Sequence, residues 1–162
     1  MSKVRKIYTS QEALAKLKNL CSRSEKCIYD IKLKLQKWGI EPSESEKIIA
    51  SLLNSKFVDE ERYVNAYVRE KLNLAKWGKQ KIVRMLKAKQ VQANLIDVAL
   101  NDINNGKYKE KLVELLKKKN SSIKDESEYN RKAKLLRFAL SRGYEYDLVH
   151  EVLSSNLFLP DN

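Results

Sequence analysis

Glycine and proline are scarce in this chain, 4 and 2 among 162 residues. A sandwich or barrel built on many tight turns would need more of both, so their scarcity favours helix. Histidine occurs once, at His150, and cysteine only at Cys21 and Cys27. That cysteine spacing matches no common zinc motif, and the two thiols read as reduced and half-buried. There is no apolar run long enough to span a membrane. The charged first residues lack the apolar core of a secretory signal, so the cytosol is the expected compartment. His150 has no Ser, Cys or Asp partner at a recognisable spacing and reads as structural. With no acidic or histidine cluster to hold Mg²⁺ either, no catalysis, metal or cofactor is expected.

Acid is missing where base is densest. Residues 71–89 hold Lys71, Lys76, Lys79, Lys81, Arg84, Lys87 and Lys89 without one Asp or Glu. The whole chain carries 33 Lys and Arg against 21 Asp and Glu, a net charge of +12. Such a field concentrates anions, so nucleic acid, an acidic protein or an anionic membrane surface are the candidate partners. Lysine-rich helix faces are often only solvated surface. That surface usually carries Glu–Lys pairs one turn apart, however, and this run has none. Lys81, Arg84 and Lys87 project from roughly one side of a helix, with Ile82, Met85 and Leu86 expected on the buried side. Trp77 offers a flat π surface beside the cations, suited to stacking or anchoring, although it and Trp38 also suit a core.

Along the chain, local signals mark about nine short helices. Thr9 with Glu12, Ser22 with Glu25 and Ser43 with Glu46 each have the spacing of a capping box. Gly39 reads as a left-handed helix stop. Asp59 is a natural N-cap, with Glu60 and Glu61 in the favourable first turn. Val58 and Tyr63 stand at the two positions of a hydrophobic staple. Arg62 is expected to bridge repeats through a local carboxylate. The pair Trp77-Gly78 is read as closing the helix that begins near Asp59. Residues 104–106, Asn-Asn-Gly, read as a turn. Residues 120–125 read as a loop, and Gly143 as another stop. The apolar stripes include Leu53 in the third helix, and Ala133, Leu136 and Ala139 or Leu140 in the eighth.

The helices fall into three sets. Residues 35–40 align with 86–91 and with 139–144, and each is followed by a polar spacer and an apolar pair: Ile48-Ile49, Leu95-Ile96 and Leu148-Val149. The Lys-Trp-Gly triplets at 37–39 and 76–78 do not fit this register, and their likeness is read as unrelated to the repeat. The expected architecture is all-α, three tandem three-helix repeats stacked into an elongated, curved, solenoid-like rod. The expected boundaries are a basic tail at 1–9, repeats at 10–54, 55–105 and 106–155, and a polar tail at 156–162.

Several of these residues carry a family likeness. The pattern Asp30-Ile31-x-x-Lys34-Leu35-x-x-Trp38-Gly39 resembles the first-repeat signature of the RecX regulatory proteins. Phe57 to Tyr63 is similar to their linker and acidic helix start, followed by a Tyr-Val-Arg-x-Lys stretch at Tyr67 to Lys71. Gly78 to Leu86 resembles the second-repeat pattern, with Gln90 where the family usually has glycine. The third repeat resembles the family only at Lys134, Arg137-Phe138 and Arg142-Gly143. The resemblance implies a small cytosolic, non-enzymatic protein, expected as a monomer. It would bind a RecA-type recombinase and its filament on single-stranded DNA, and modulate, usually inhibit, the ATPase, strand-exchange and coprotease activities. The alternative is a stand-alone helical DNA- or RNA-binding module. Under either reading the expected contact residues are Lys71, Lys76, Trp77, Lys79, Lys81, Arg84, Lys87 and Lys89. Asp59, Glu60, Arg62, Tyr63, Gly39 and Gly78 are expected to be architectural.

Overall fold

The computed structural model describes residues 7–124 and 127–155. The first part of the basic start, residues 1–6, the tail at 156–162 and residues 125–126 lie outside the described residues. Among those described there are nine helices and no strand. The first set is α1 (Ser10–Arg23), α2 (Ile28–Lys37) and α3 (Pro42–Asn54). The second is α4 (Glu60–Asn73), α5 (Lys79–Ala88) and α6 (Ala93–Asn101), and the third α7 (Asn105–Ser121), α8 (Glu128–Ser141) and α9 (Tyr146–Ser154).

The contacts divide the chain into two compact units. One comprises Met1–Ala66 and Lys87–Leu95, the other Tyr67–Leu86 and Ile96–Asn162. In the first, α1 and α2 both pack on α3. Leu17, Ile31, Leu35 and Leu52 are fully buried there, and Trp38 and Phe57 pack at the margin of the same cluster. In the second, α7, α8 and α9 pack on one another around Leu112, Leu116, Leu135, Tyr144 and Val149.

The aligned stretches share one backbone device. Gly39, Gln90 and Gly143 all take positive φ, at 76°, 57° and 93°. At Gly39 the amide donates to Gln36 O and the next amide, of Ile40, to Leu35 O. Gly143 and Tyr144 repeat this with Leu140 and Ala139. These are paired bonds that satisfy carbonyls a helix end leaves free. Gln90 keeps the stop without glycine, its amide donating to Lys87 O at 2.9 Å. A side chain in the left-handed region is crowded by its own carbonyl. Gln90→Gly is therefore expected to raise stability by about 1 kcal/mol, read from the urea midpoint; a lowered midpoint would mean that the glutamine side chain contributes more than the backbone strain costs.

The acidic helix start acts on two helices at once. Asp59 caps its own helix, accepting from Arg62 N at 3.0 Å. Glu60 instead caps α2, its Oε1 accepting from Ile28 N at 2.8 Å. Arg62 reaches Glu25 at 3.0 Å and the Lys56 carbonyl at 2.9 Å. Its carboxylate partner lies 37 positions away in sequence, so the bridge is not a local one. Val58 and Tyr63 are both buried. Asp59→Ala should cost about 1 kcal/mol for the lost cap, measured by urea unfolding. Loss of partner binding at unchanged stability would instead put Asp59 in the contact surface.

Several local signals are overridden. The Thr9–Glu12 box forms, but Ser22 and Ser43 cap nothing. Ser22 sits in the last turns of α1, and its hydroxyl donates back to Asn19 O at 2.7 Å. The cap of the next helix comes five residues later, at Cys27, whose sulfur accepts from Asp30 N at 3.4 Å. Pro42 occupies the first turn of α3, where its missing N–H costs nothing, so the cap position falls on Glu41 rather than Ser43. Asn105 and Gly106 are not a free turn but open α7, with Asn104 as the cap. That helix continues through Ser121, into the stretch expected to be loop. Leu53, Met85 and Leu140 are 39%, 37% and 38% exposed. Each lies at the edge of a stripe centred on Leu52, on Ile82 and Leu86, and on Leu135 and Ala139, all of them buried. Both cysteines are free thiols; Cys27 is buried and Cys21 half-buried, and burial pushes both thiol pKa values up.

Candidate functional site

In the second unit, α4 ends at Asn73 and a linker of residues 74–78 leads to α5. Here Trp77-Gly78 does not end the helix as expected. The residue that turns the chain is Lys76, at φ 56°, after which Trp77 N donates to Lys71 O at 2.9 Å. Gly78 is absent from the positive-φ positions, and is needed for another reason. It lies directly against the Arg142–Tyr144 turn, and a Cβ placed on it would overlap the Gly143 carbonyl carbon and the Tyr144 amide nitrogen. Its own amide donates to Arg142 O at 2.7 Å, and Gln80 N to Gly143 O at 3.0 Å. Between them, Lys79 N donates to the Tyr108 hydroxyl at 2.9 Å. The first donors of α5 are thus satisfied by the α8–α9 turn and by α7, not by a side-chain cap of its own. The two Lys-Trp-Gly triplets therefore have different backbones: Gly39 turns left-handed, whereas in the second copy Lys76 does.

Trp77 gathers cations. Lys81 Nζ stands 4.4 Å and Lys71 Nζ 4.9 Å from its ring centroid, and Tyr67 meets it edge-on at 6.5 Å. Each ammonium gains attraction from the ring and keeps donors for an anion. Lys71 also lies 3.7 Å from Glu70. Lys79 is held by architecture, with Nζ 4.7 Å over Tyr108 and 3.3 Å from Asn105 Oδ1. Arg84 is exposed, and Lys76 is half-buried.

The remaining two expected contacts, Lys87 and Lys89, belong to the first unit. Lys87 is exposed, but Lys89 is tied to Asp30 at 2.6 Å, with both side chains mostly covered. The run is therefore not uncompensated at this end. Its acid comes from 59 positions away, beyond any i,i+4 test.

Beside the α8–α9 turn lies a buried aromatic pair. Tyr108 and Tyr144 stack with centroids 5.2 Å apart. The Tyr108 hydroxyl donates to Glu145 Oε2 at 2.8 Å. Burial, first, and Glu145 with it, push its pKa far up. Burial likewise pushes Tyr144 up to about 12. The Tyr144 hydroxyl is buried with no hydrogen-bond partner among the described residues. Tyr144→Phe removes an unsatisfied group and is expected to raise stability by about 1 kcal/mol in urea unfolding. A loss of stability would mean that the hydroxyl has a partner.

A second basic surface, at whose edge the run Lys117-Lys118-Lys119 reads as a weak candidate for DNA contact, lies in the same unit. A groove of about 480 Å³ runs between the 74–78 linker, α7 and α8. Lys76, Lys111, Lys118, Lys119 and Arg142 line it with one acid, Glu114. The run Lys117-Lys118-Lys119 is the only sequence signal for it, since the rest of its lining comes from residues far apart in the chain. Among the described residues no group of three or more His, Cys, Asp or Glu could hold a metal ion, and no helix is long and apolar enough to cross a membrane.

The family model for the second three-helix domain of RecX matches residues 59–100, and that for the third matches 107–153. Proteins named regulatory protein RecX are similar over most of the chain. The one from Clostridium acetobutylicum is 33% identical over 91% of this chain and 68% of its own length. The one from Vibrio campbellii is 31% identical over 83% and 85%. The chain belongs to the RecX family. The chain spans only 62% of the Clostridium tetani RecX, at 33% identity over 84% of this chain. The crystal structure of RecX from Lactobacillus salivarius superposes with a TM-score of 0.77, at 22% identity over 89% of this chain and 94% of that one. A second crystal structure, of a regulatory protein RecX, also gives 0.77, at 21% identity over 90% of this chain and 74% of that one. At such identities the two structures show that the all-helical RecX fold is shared. The positive φ of Gln90 is how this chain keeps the helix stop of its second set without a glycine.

Proposed function

We propose that this chain is a non-enzymatic regulator. It binds a RecA-type recombinase and its filament on single-stranded DNA and lowers the ATPase, strand-exchange and coprotease activities. The observation that carries this reading is membership of the RecX family, whose relatives are named regulatory proteins. The cationic surface supports it. Arg84 and Lys87 are exposed on α5, and Lys71 and Lys81 are held on Trp77, a combination suited to phosphates or to acidic side chains along a filament. Lys89, and to a lesser degree Lys79, are left out because intramolecular partners hold them.

The test is the ATPase rate of a RecA-type recombinase on single-stranded DNA, with and without this protein. A fall in rate at protein concentrations well below that of the recombinase is expected, and an unchanged rate at all concentrations would overturn the reading. A stand-alone nucleic-acid module is favoured by the same exposed cations. It would show as tight binding to naked DNA or RNA that weakens steeply with salt, without any effect on the recombinase.

A further inference from the structure

We propose that the groove between the 74–78 linker, α7 and α8 is a docking site for an acidic peptide segment carrying a bulky apolar side chain. It is separate from α5 and does not rest on the filament reading.

The lining has two parts. Its rim is cationic: Lys118 is exposed and Lys76, Lys111 and Lys119 are half-buried, against Glu114 alone. The rest of its lining is largely apolar, with Leu74, Ala75, Leu115 and Phe138. Leu74 is 79% exposed and adds its aliphatic surface to that lining. A second hollow of about 410 Å³ shares Lys119, Ser122 and Phe138 and continues past Lys124 and Arg137, extending the basic rim. A volume of this size holds one or two large side chains, and a charged rim around an apolar centre is the usual anatomy of a peptide site.

Charge complementarity selects the occupant. Five cations and one acid call for an anionic chain. A second copy of this protein is a poor one, because its net charge of +12 repels. A nucleic-acid strand offers the charge, but its bases need a free aromatic face. Phe138 already has Lys119 Nζ at 5.1 Å and Arg142 Cζ at 5.2 Å from its centroid. Arg142 is held there by its bond to the Ala75 carbonyl at 3.3 Å. What remains open is aliphatic surface at Leu74 and Leu115, which suits a leucine or phenylalanine flanked by carboxylates.

The experiment uses the full chain and a fluorescein-labelled peptide with a Leu-Phe pair between acidic blocks, read by anisotropy. A Ser-Ser peptide of the same charge and a thymidine oligonucleotide serve as competitors. Reversing Lys111 and Lys118 to Glu is expected to weaken both peptides by about tenfold or more. Leu74→Ser is expected to weaken the Leu-Phe peptide about fivefold and to leave the Ser-Ser peptide unchanged. Arg84→Glu should change neither by more than about twofold, because α5 is not the site. Circular dichroism checks that each variant is folded. No binding of the Leu-Phe peptide, equal affinity for both peptides, or displacement of the peptide by a tighter-binding oligonucleotide would each overturn the proposal. So would self-association of the chain that depends on Leu74.

Discussion

Gly78→Ala is expected to destabilise the protein by about 3–5 kcal/mol. The added Cβ would overlap the backbone of Gly143 and Tyr144, and backbone cannot rotate away as a side-chain tip can. The start of α5 would have to lift off the α8–α9 turn. The bonds from Gly78 N to Arg142 O and from Gln80 N to Gly143 O would stretch or break, leaving donors unsatisfied. A melting temperature lower by about 10 °C is the expected reading for a chain of this length. A change below about 2 °C would mean that the close approach is not required. Gly143 is constrained from the other side, since its own Cβ would overlap that of Lys81, and its φ of 93° disfavours any side chain.

The second large effect is functional. If the chain inhibits a RecA-type recombinase as proposed, Arg84→Glu together with Lys87→Glu is expected to weaken that inhibition at least about tenfold, while circular dichroism and melting stay nearly unchanged. Both side chains are exposed, so their reversal leaves the core untouched. Lys81 is kept native in this test because its ammonium sits over Trp77 and its Cβ lies against Gly143. Where these residues touch phosphates, the dependence of binding on salt should also become shallower by roughly one to two counterions. Full inhibition by the double variant would remove α5 from the contact surface.

Much of the fold was legible because the signals that set it act within a few residues. Thr9 with Glu12 and the cap at Asp59 involve bonds from one residue to the third following it. Gly39 and Gly143 mark stops because few other residues take positive φ at low cost. The same locality explains the failures at Ser22 and Ser43, where the motif is present but a stronger neighbour sets the helix start. At α2 that neighbour is Glu60, 32 positions away. Met85 and Leu53 failed for a different reason: periodicity finds the centre of an apolar stripe but not its edge.

The candidate site was legible as a composition and illegible as a surface. The cations of residues 71–89 could be counted, but exposure and pairing decide which remain available. Asp30 engages Lys89, Asn105 and Tyr108 engage Lys79, and Trp77 organises Lys71 and Lys81. The α7–α8 groove was missed because Leu74, Lys111 and Phe138 share no motif.

The sequence by itself therefore determined the helices, their main stops, the threefold register and the sign of the charge. These follow from backbone preferences and side-chain spacing, which are properties of short segments. Tertiary structure alone decided that Gly78 serves close packing rather than a turn, that Glu60 caps another helix, and which cations remain for a partner. Those outcomes depend on groups brought together from distant positions, and burial, overlap and pairing between such groups exist only once the chain has folded.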